Sequence, residues 1–160
     1  MIVVSNATPL IGLAMAERFD LLQKLFGLIY IPQGVYDEVV TEGGQRFGTQ
    51  EVSDAAWIEL VEVKDRLAVE VLADDLGKGE SETIVLAREM GADWVLVDER
   101  LARRKLDALG IPTIGTLGIL LKAKEVGLLR TVAPAVELLR TRGFRLSRQV
   151  YDDVLRIAGE

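Results

Sequence analysis

The strongest constraint in this chain is a repeated pairing. A short apolar run, rich in β-branched residues, stops at a polar residue, Pro or Gly, and a helical pattern follows. Ile2-Val3-Val4 runs into Ser5-Asn6 and then Pro9. Leu28-Ile29-Tyr30-Ile31 stops at Pro32, Trp94-Val95-Leu96-Val97 at Asp98, and Pro112-Thr113-Ile114 at Gly115. Strands this short and apolar on both sides need cover on both faces, and crossover helices between parallel strands supply it. The spacing predicts helices over Pro9–Ala16, Asp20–Phe26, Gly34–Thr41, Arg66–Ala73, Glu80–Met90, Glu99–Leu109, Leu117–Lys124, Val132–Thr141 and Ser147–Ile157. Ile58–Val63 alternates apolar and acidic residues, the pattern of a half-exposed strand near an edge. The expected fold class is α/β: a three-layer α/β/α arrangement around a mainly parallel sheet of four to five strands, in a single domain over residues 1–160. Trp57, Trp94, Phe26 and Tyr30 read as core, and Gly43–Gly48 as a mobile loop.

Composition narrows the chemistry. With no Cys and no His, the chain has no disulfide framework, no Cys/His zinc site and no Ser-His-Asp or Cys-His nucleophile pair. A metal here would be a hard cation held by carboxylates, amides and carbonyls, so Mg²⁺ or Mn²⁺. No apolar run is long enough to span a bilayer, and the N-terminus lacks the basic start of a signal peptide. The expectation is a cytoplasmic protein with no membrane partner. The net charge of -6 disfavours nucleic acid overall, so such a partner would need a local basic patch.

In parallel sheets, sites form beyond the carboxyl ends of strands. Asn6, with Thr8 just beyond it, ends the first strand, and Asp98 ends the Trp94–Val97 strand. Glu80 opens the helix before that strand, and Glu38 lies in the helix after the second. Carboxylates gathered at one sheet edge repel each other, and a divalent cation relieves the repulsion. Each residue also has a structural reading. Glu80 suits a helix dipole, Asp98 an N-cap, Glu38 a solvated acidic face and Asn6 an Asx-turn. Gly77-Lys78-Gly79 is not a P-loop, since no Ser or Thr follows the Lys; the pair reads as a tight entry that aims Glu80. Arg100, Arg103, Arg104 and Lys105 crowd the helix after Asp98, and Arg100 and Arg103 could hold a substrate phosphate. A receiver-type phosphoacceptor site is disfavoured, because Ser5-Asn6 stands where an acidic pair would be needed.

Four segments resemble the ordered motifs of PIN-like domains. Val3-Val4-Ser5-Asn6-Ala7-Thr8-Pro9-Leu10-Ile11 is similar to the first, and Ile31-Pro32-Gln33-Gly34-Val35-Tyr36-Asp37-Glu38-Val39 to the second. Gly77-Lys78-Gly79-Glu80-Ser81-Glu82-Thr83-Ile84 is similar to the third, and Leu96-Val97-Asp98-Glu99-Arg100-Leu101-Ala102-Arg103 to the fourth. Gly115-Thr116-Leu117-Gly118-Ile119-Leu120 resembles the tail of an uncharacterised prokaryotic branch related to VapC-type toxins. The resemblance implies a metal-dependent endoribonuclease. It carries metal-binding and catalytic roles to Glu38, Glu80 and Asp98, and a supporting role to Thr8. Asn6 stands where the active pattern has Asp; its amide oxygen can coordinate but brings no charge. Glu82 and Glu99 are reserve acids. The partners implied are RNA, an antitoxin protein and a second copy in a homodimer. The alternative is a catalytically weak or inactive PIN-like module that binds RNA or a protein partner.

Overall fold

The computed structural model describes residues 1–160, and its strands lie where the apolar runs place them. Before the second strand come β1 (Val3–Ser5), α1 (Ala7–Met15) and α2 (Asp20–Phe26). Then follow β2 (Ile29–Ile31), α3 (Gln33–Tyr36), a π-helical turn (Asp37–Thr41) and α4 (Thr49–Asp54). Next are β3 (Ile58–Leu60), α5 (Arg66–Leu72), α6 (Lys78–Met90), β4 (Trp94–Leu96) and α7 (Arg100–Ala108). The chain closes with β5 (Thr113–Ile114), α8 (Thr116–Glu125), α9 (Ala133–Thr141) and α10 (Arg148–Ile157). The strands form one sheet in the order β3-β2-β1-β4-β5, with every neighbouring pair parallel.

Alternation along each strand divides the core in two. Val3, Ile29, Ile31 and Leu96 point to one face, where they meet α1, α2, α8 and α9 through Leu10, Leu13, Leu22, Ile119, Leu120 and Leu139. Val4, Val95 and Val97 point to the other, under α5, α6 and α7 through Val69, Ile84, Leu86 and Leu106. Each such Leu or Ile contributes roughly 1.5–3 kcal/mol by leaving water, so both faces hold the sheet. This is the three-layer α/β/α arrangement. No helix is long and apolar enough to cross a membrane.

Three expectations need correcting. Trp94 is not core: it is 37% exposed, because it occupies the first position of β4, beyond the helices that cover the strand. Trp57, Phe26 and Tyr30 are half-buried, with Trp57 tilted against Phe19 at 5.3 Å between ring centroids. The Gly43–Gly48 segment is a loop, as expected, built of turns with hydrogen bonds at its two ends. Arg46 donates from Nε to the Gly43 carbonyl (2.9 Å) and from Nη2 to the Glu42 carbonyl (3.1 Å), and Thr49 Oγ1 donates to the Val39 carbonyl (2.7 Å). Finally, the strand expected over Ile58–Val63 ends at Leu60, and α4 stands where no helix was expected.

Candidate active site at the carboxyl ends of the strands

The strand order reverses between β1 and β4: the chain builds outward through β2 and β3, then returns to the other side of β1. Loops leaving these two strands diverge and open a crevice. Asn6 and Asp98 follow the two strands. The main chain fixes both positions, since Asn6 N–H donates to the Leu96 carbonyl (2.9 Å) and Val97 N–H to the Ile114 carbonyl (3.0 Å). Asn6 is 3% exposed and occupies the N-cap position of α1, yet its carboxamide makes no capping bond. No fully enclosed side-chain polar atom in the fold lacks a partner, so this amide meets the crevice rather than the core. The Asx-turn reading of Asn6 is therefore not realised. Thr8 lies half-buried in the first turn of α1, two residues on.

Glu38 and Glu80 are brought together by two glycines. A Cβ added to Gly34 would lie 3.2 Å from the Gly79 Cα, so α3 and α6 cross with backbones nearly touching. Glu82 locks the crossing. It is 1% exposed, accepts from Gly34 N–H at Oε1 (2.7 Å) and accepts from Arg66 Nη1 at Oε2 (2.9 Å). Both oxygens are engaged, so Glu82 is a strut between helices and not a reserve ligand. Glu80 bends back so that Oε2 accepts from Gly77 N–H (2.7 Å), which fixes its stem in the first turn of α6. Glu38 rides on the π-helical turn that continues α3. Desolvation pushes its carboxyl pKa up, repulsion from Glu80 and then Glu42 adds to the shift, and Arg46 opposes it.

Asp98 is held differently. Its Oδ1 accepts from Thr116 N–H (2.9 Å) and its Oδ2 from Thr116 Oγ1 (2.7 Å). Gly115 makes room for this, since a Cβ there would stand 2.6 Å from Asp98 Oδ1. Burial raises the Asp98 pKa, while the two Thr116 bonds and the nearby Arg103 guanidinium pull it down. The N-cap of α7 is Glu99, whose side chain accepts from Ala102 N–H (2.6 Å), and not Asp98. That removes Glu99 from the reserve acids and leaves Asp98 without a capping role on α7; its bond from Thr116 N–H serves the first turn of α8 instead. Arg103 sits near Asp98; Arg100 is exposed at the first residue of α7.

The structure thus places Glu38 where Glu80 repels it and sets Asn6 and Asp98 at the switch point. No three of the acids converge closely enough to form a complete ligand set for one ion. The donor chemistry nonetheless fits a hard divalent cation, with Glu38 repelled by Glu80 and, at the end of β1, an Asn6 carboxamide that makes no side-chain hydrogen bond. Sequence reasoning missed Thr116, although a Gly-Thr pair immediately after a strand is a recognisable signal. It also missed Arg46, which no motif marks. A cavity of about 660 Å³ adjoins Glu38 and includes Arg46 and Phe47. A more apolar cavity of about 790 Å³, walled by Leu67, Val71 and Leu109, lies between α5 and α7 and touches none of the candidate acids.

No curated protein matches the chain. The family model DUF3368, described as a PIN domain, matches residues 2–160. PIN domains are typically nucleases, commonly bind RNA and generally use divalent metal ions. With a match over nearly the whole length, on a five-stranded parallel sheet, the chain belongs to the PIN-domain family.

Proposed function

We propose that this protein is a metal-dependent endoribonuclease that hydrolyses RNA phosphodiesters, with Glu38, Glu80 and Asp98 as its acidic groups and Asn6 as a neutral oxygen donor. The observation that carries the reading is the Glu38–Glu80 pair, two like charges held near each other by the Gly34–Gly79 crossing. A fold that keeps such repulsion at a strand-end crevice is arranged for a cation. A Mg²⁺ or Mn²⁺ ion bound there supplies charge for the phosphate oxygens and leaving group and makes water a stronger acid. Glu38 and Glu80 would bind that charge, which would offset the burial and the repulsion that raise the Glu38 pKa. Asn6 adds an oxygen without charge. Asp98, fixed by Thr116, holds its carboxylate in one orientation and keeps Arg103 close, and Arg103 with Arg100 positions the RNA strand by its phosphates. Thr8 supports the turn that carries Asn6. A role as the toxin of a toxin–antitoxin pair, in the cytoplasm, as a homodimer masked by an antitoxin, is the biological setting this reading favours.

The test is incubation of single-stranded RNA with the purified protein and Mn²⁺. Cleavage above that of a Glu80→Ala, Asp98→Ala double variant is expected; equal activity of the two would end the proposal. A second reading has a specific observation behind it. The amide at position 6, with no three acids converging, favours a weak or inactive module that binds RNA or a protein partner. Calorimetric titration with Mn²⁺ separates the two: if only Asn6→Asp binds the metal and cleaves, the second reading holds.

A further inference from the structure

The cavity beside Glu38 has a construction that phosphodiester hydrolysis alone does not explain. Its floor is apolar, made by Ile11, Met15 and Val39, and its rim carries Phe47, an aromatic ring left 40% exposed. That exposure is not the accident of a loose loop. Arg46 and Thr49 tie the turns on either side of the ring to main-chain carbonyls, as described above. The Arg142 guanidinium lies 5.2 Å from the Phe47 ring centroid and is itself anchored, donating from Nη1 to the Met15 carbonyl (2.8 Å). Gly48, in the left-handed region at φ 92°, turns the chain immediately after the ring, and a Cβ added there would lie 3.4 Å from the Ile11 Cα. Several contacts thus hold a large apolar ring that, even with the Arg142 guanidinium over it, stays 40% exposed, and a further flat group covering that exposed surface would recover the cost.

The polar groups around the ring select the ligand. Gln50 donates its amide nitrogen to Asp54 (2.8 Å), which leaves its carbonyl oxygen as an acceptor for an N–H. Arg46 commits Nε and Nη2 to main-chain carbonyls, leaving Nη1 for an anion. An aromatic platform, a directional acceptor and a guanidinium beside a candidate hydrolytic carboxylate match one nucleotide unit: base on the ring, base edge on the amide, phosphate on the arginine. We propose that this cavity is a nucleobase subsite, in which Phe47 stacks a base of the bound single strand and so fixes which phosphate reaches Glu38. The inference rests on the nuclease reading for its substrate class, and Phe47 is a positioning residue within it.

The experiment measures binding of a fluorescein-labelled, single-stranded RNA oligonucleotide by anisotropy with Ca²⁺ present, while cleavage in Mn²⁺ is followed in parallel. Phe47→Ala is expected to weaken binding roughly tenfold, the scale of one lost base–aromatic stack, and Phe47→Trp to retain it. A series of oligonucleotides carrying one abasic nucleotide at each position in turn is the decisive arm. At one position the wild type should lose the same factor, and Phe47→Ala should lose nothing further, a coupling that a purely structural role of Phe47 does not produce. Equal affinities for wild type and Phe47→Ala, additive losses at every abasic position, or no RNA binding at all would overturn the subsite. Cleavage without dependence on Phe47 would sink the subsite and leave the nuclease reading standing. Coupled binding without cleavage would do the reverse.

Discussion

Glu82 offers the sharpest test of how this site is held. Replacing it with Ala removes the acceptor for Gly34 N–H at the tight α3–α6 crossing, where Gly34 is buried and solvent has little access. An unsatisfied buried donor costs about 1–3 kcal/mol. Loss of the buried side-chain stem adds about 1 kcal/mol. The Arg66 pair contributes little, because the Arg66 side chain is 53% exposed and water replaces its partner. The sum is about 2–4 kcal/mol, which for a chain of this length lowers Tm by about 5–15 °C. Glu82→Gln keeps an oxygen at the Gly34 N–H and should cost no more than about 1 kcal/mol. Urea unfolding followed by circular dichroism gives both values. Because Glu82 is a strut and not a ligand, the Gln variant should also keep the wild-type response to Mn²⁺. If Glu82→Ala lies within about 0.5 kcal/mol of wild type, or Gln is as damaging as Ala, the argument that Glu82 locks the crossing is wrong.

Two further outcomes follow from contacts elsewhere. Gly115→Ala should cost about 1–3 kcal/mol by driving a methyl group against Asp98; in an Asp98→Ala background most of that penalty should vanish, and a double-mutant cycle by chemical denaturation would expose simple additivity instead. Asp20 is held at a pKa of about 2, against a usual 3.8, chiefly by its hydrogen bond from Arg18 and further by Lys24. Its contribution to stability is therefore present above the unfolded value and disappears as pH falls through about 2; an NMR titration of its carboxyl should show that midpoint in wild type and one nearer the usual value in Arg18→Ala.

What the sequence made legible has a physical pattern. Strands and long helices announce themselves because one apolar face repeats over several turns, and Gly and Pro mark their ends. α4 escaped because its six residues bury only Val52, too little periodicity to register. The π-helical turn escaped because five residues cannot distinguish its period from that of an α-helix. Among the acids, neighbours in sequence parted in space. Glu80 and Glu82 are two residues apart, hence on nearly opposite sides of α6, one toward the crevice and one toward α3. Asp98 bonds Thr116 while Glu99 caps α7, an order that adjacency alone could not decide. Strand ends therefore named candidate positions, while hydrogen bonds show which of those acids are already occupied.

The π-helical turn ties separate parts of the site to one length of chain. At Asp37–Thr41 the helix closes its hydrogen bond over five residues, Glu42 N–H to the Asp37 carbonyl (2.7 Å), and the Val39 carbonyl is taken up by Thr49 from the far side of the loop. Gly43 passes so close to that carbonyl that any side chain there would overlap it. A single-residue deletion in this turn would allow an ordinary α-helix to form, yet it would swing the downstream chain by about a quarter-turn and carry away the carbonyl on which the Phe47 loop is fastened. Insertions and deletions are commonly tolerated in loops. Here, one placed in a helix would disturb the acid and the ring together, so this stretch should tolerate substitutions far better than changes in length.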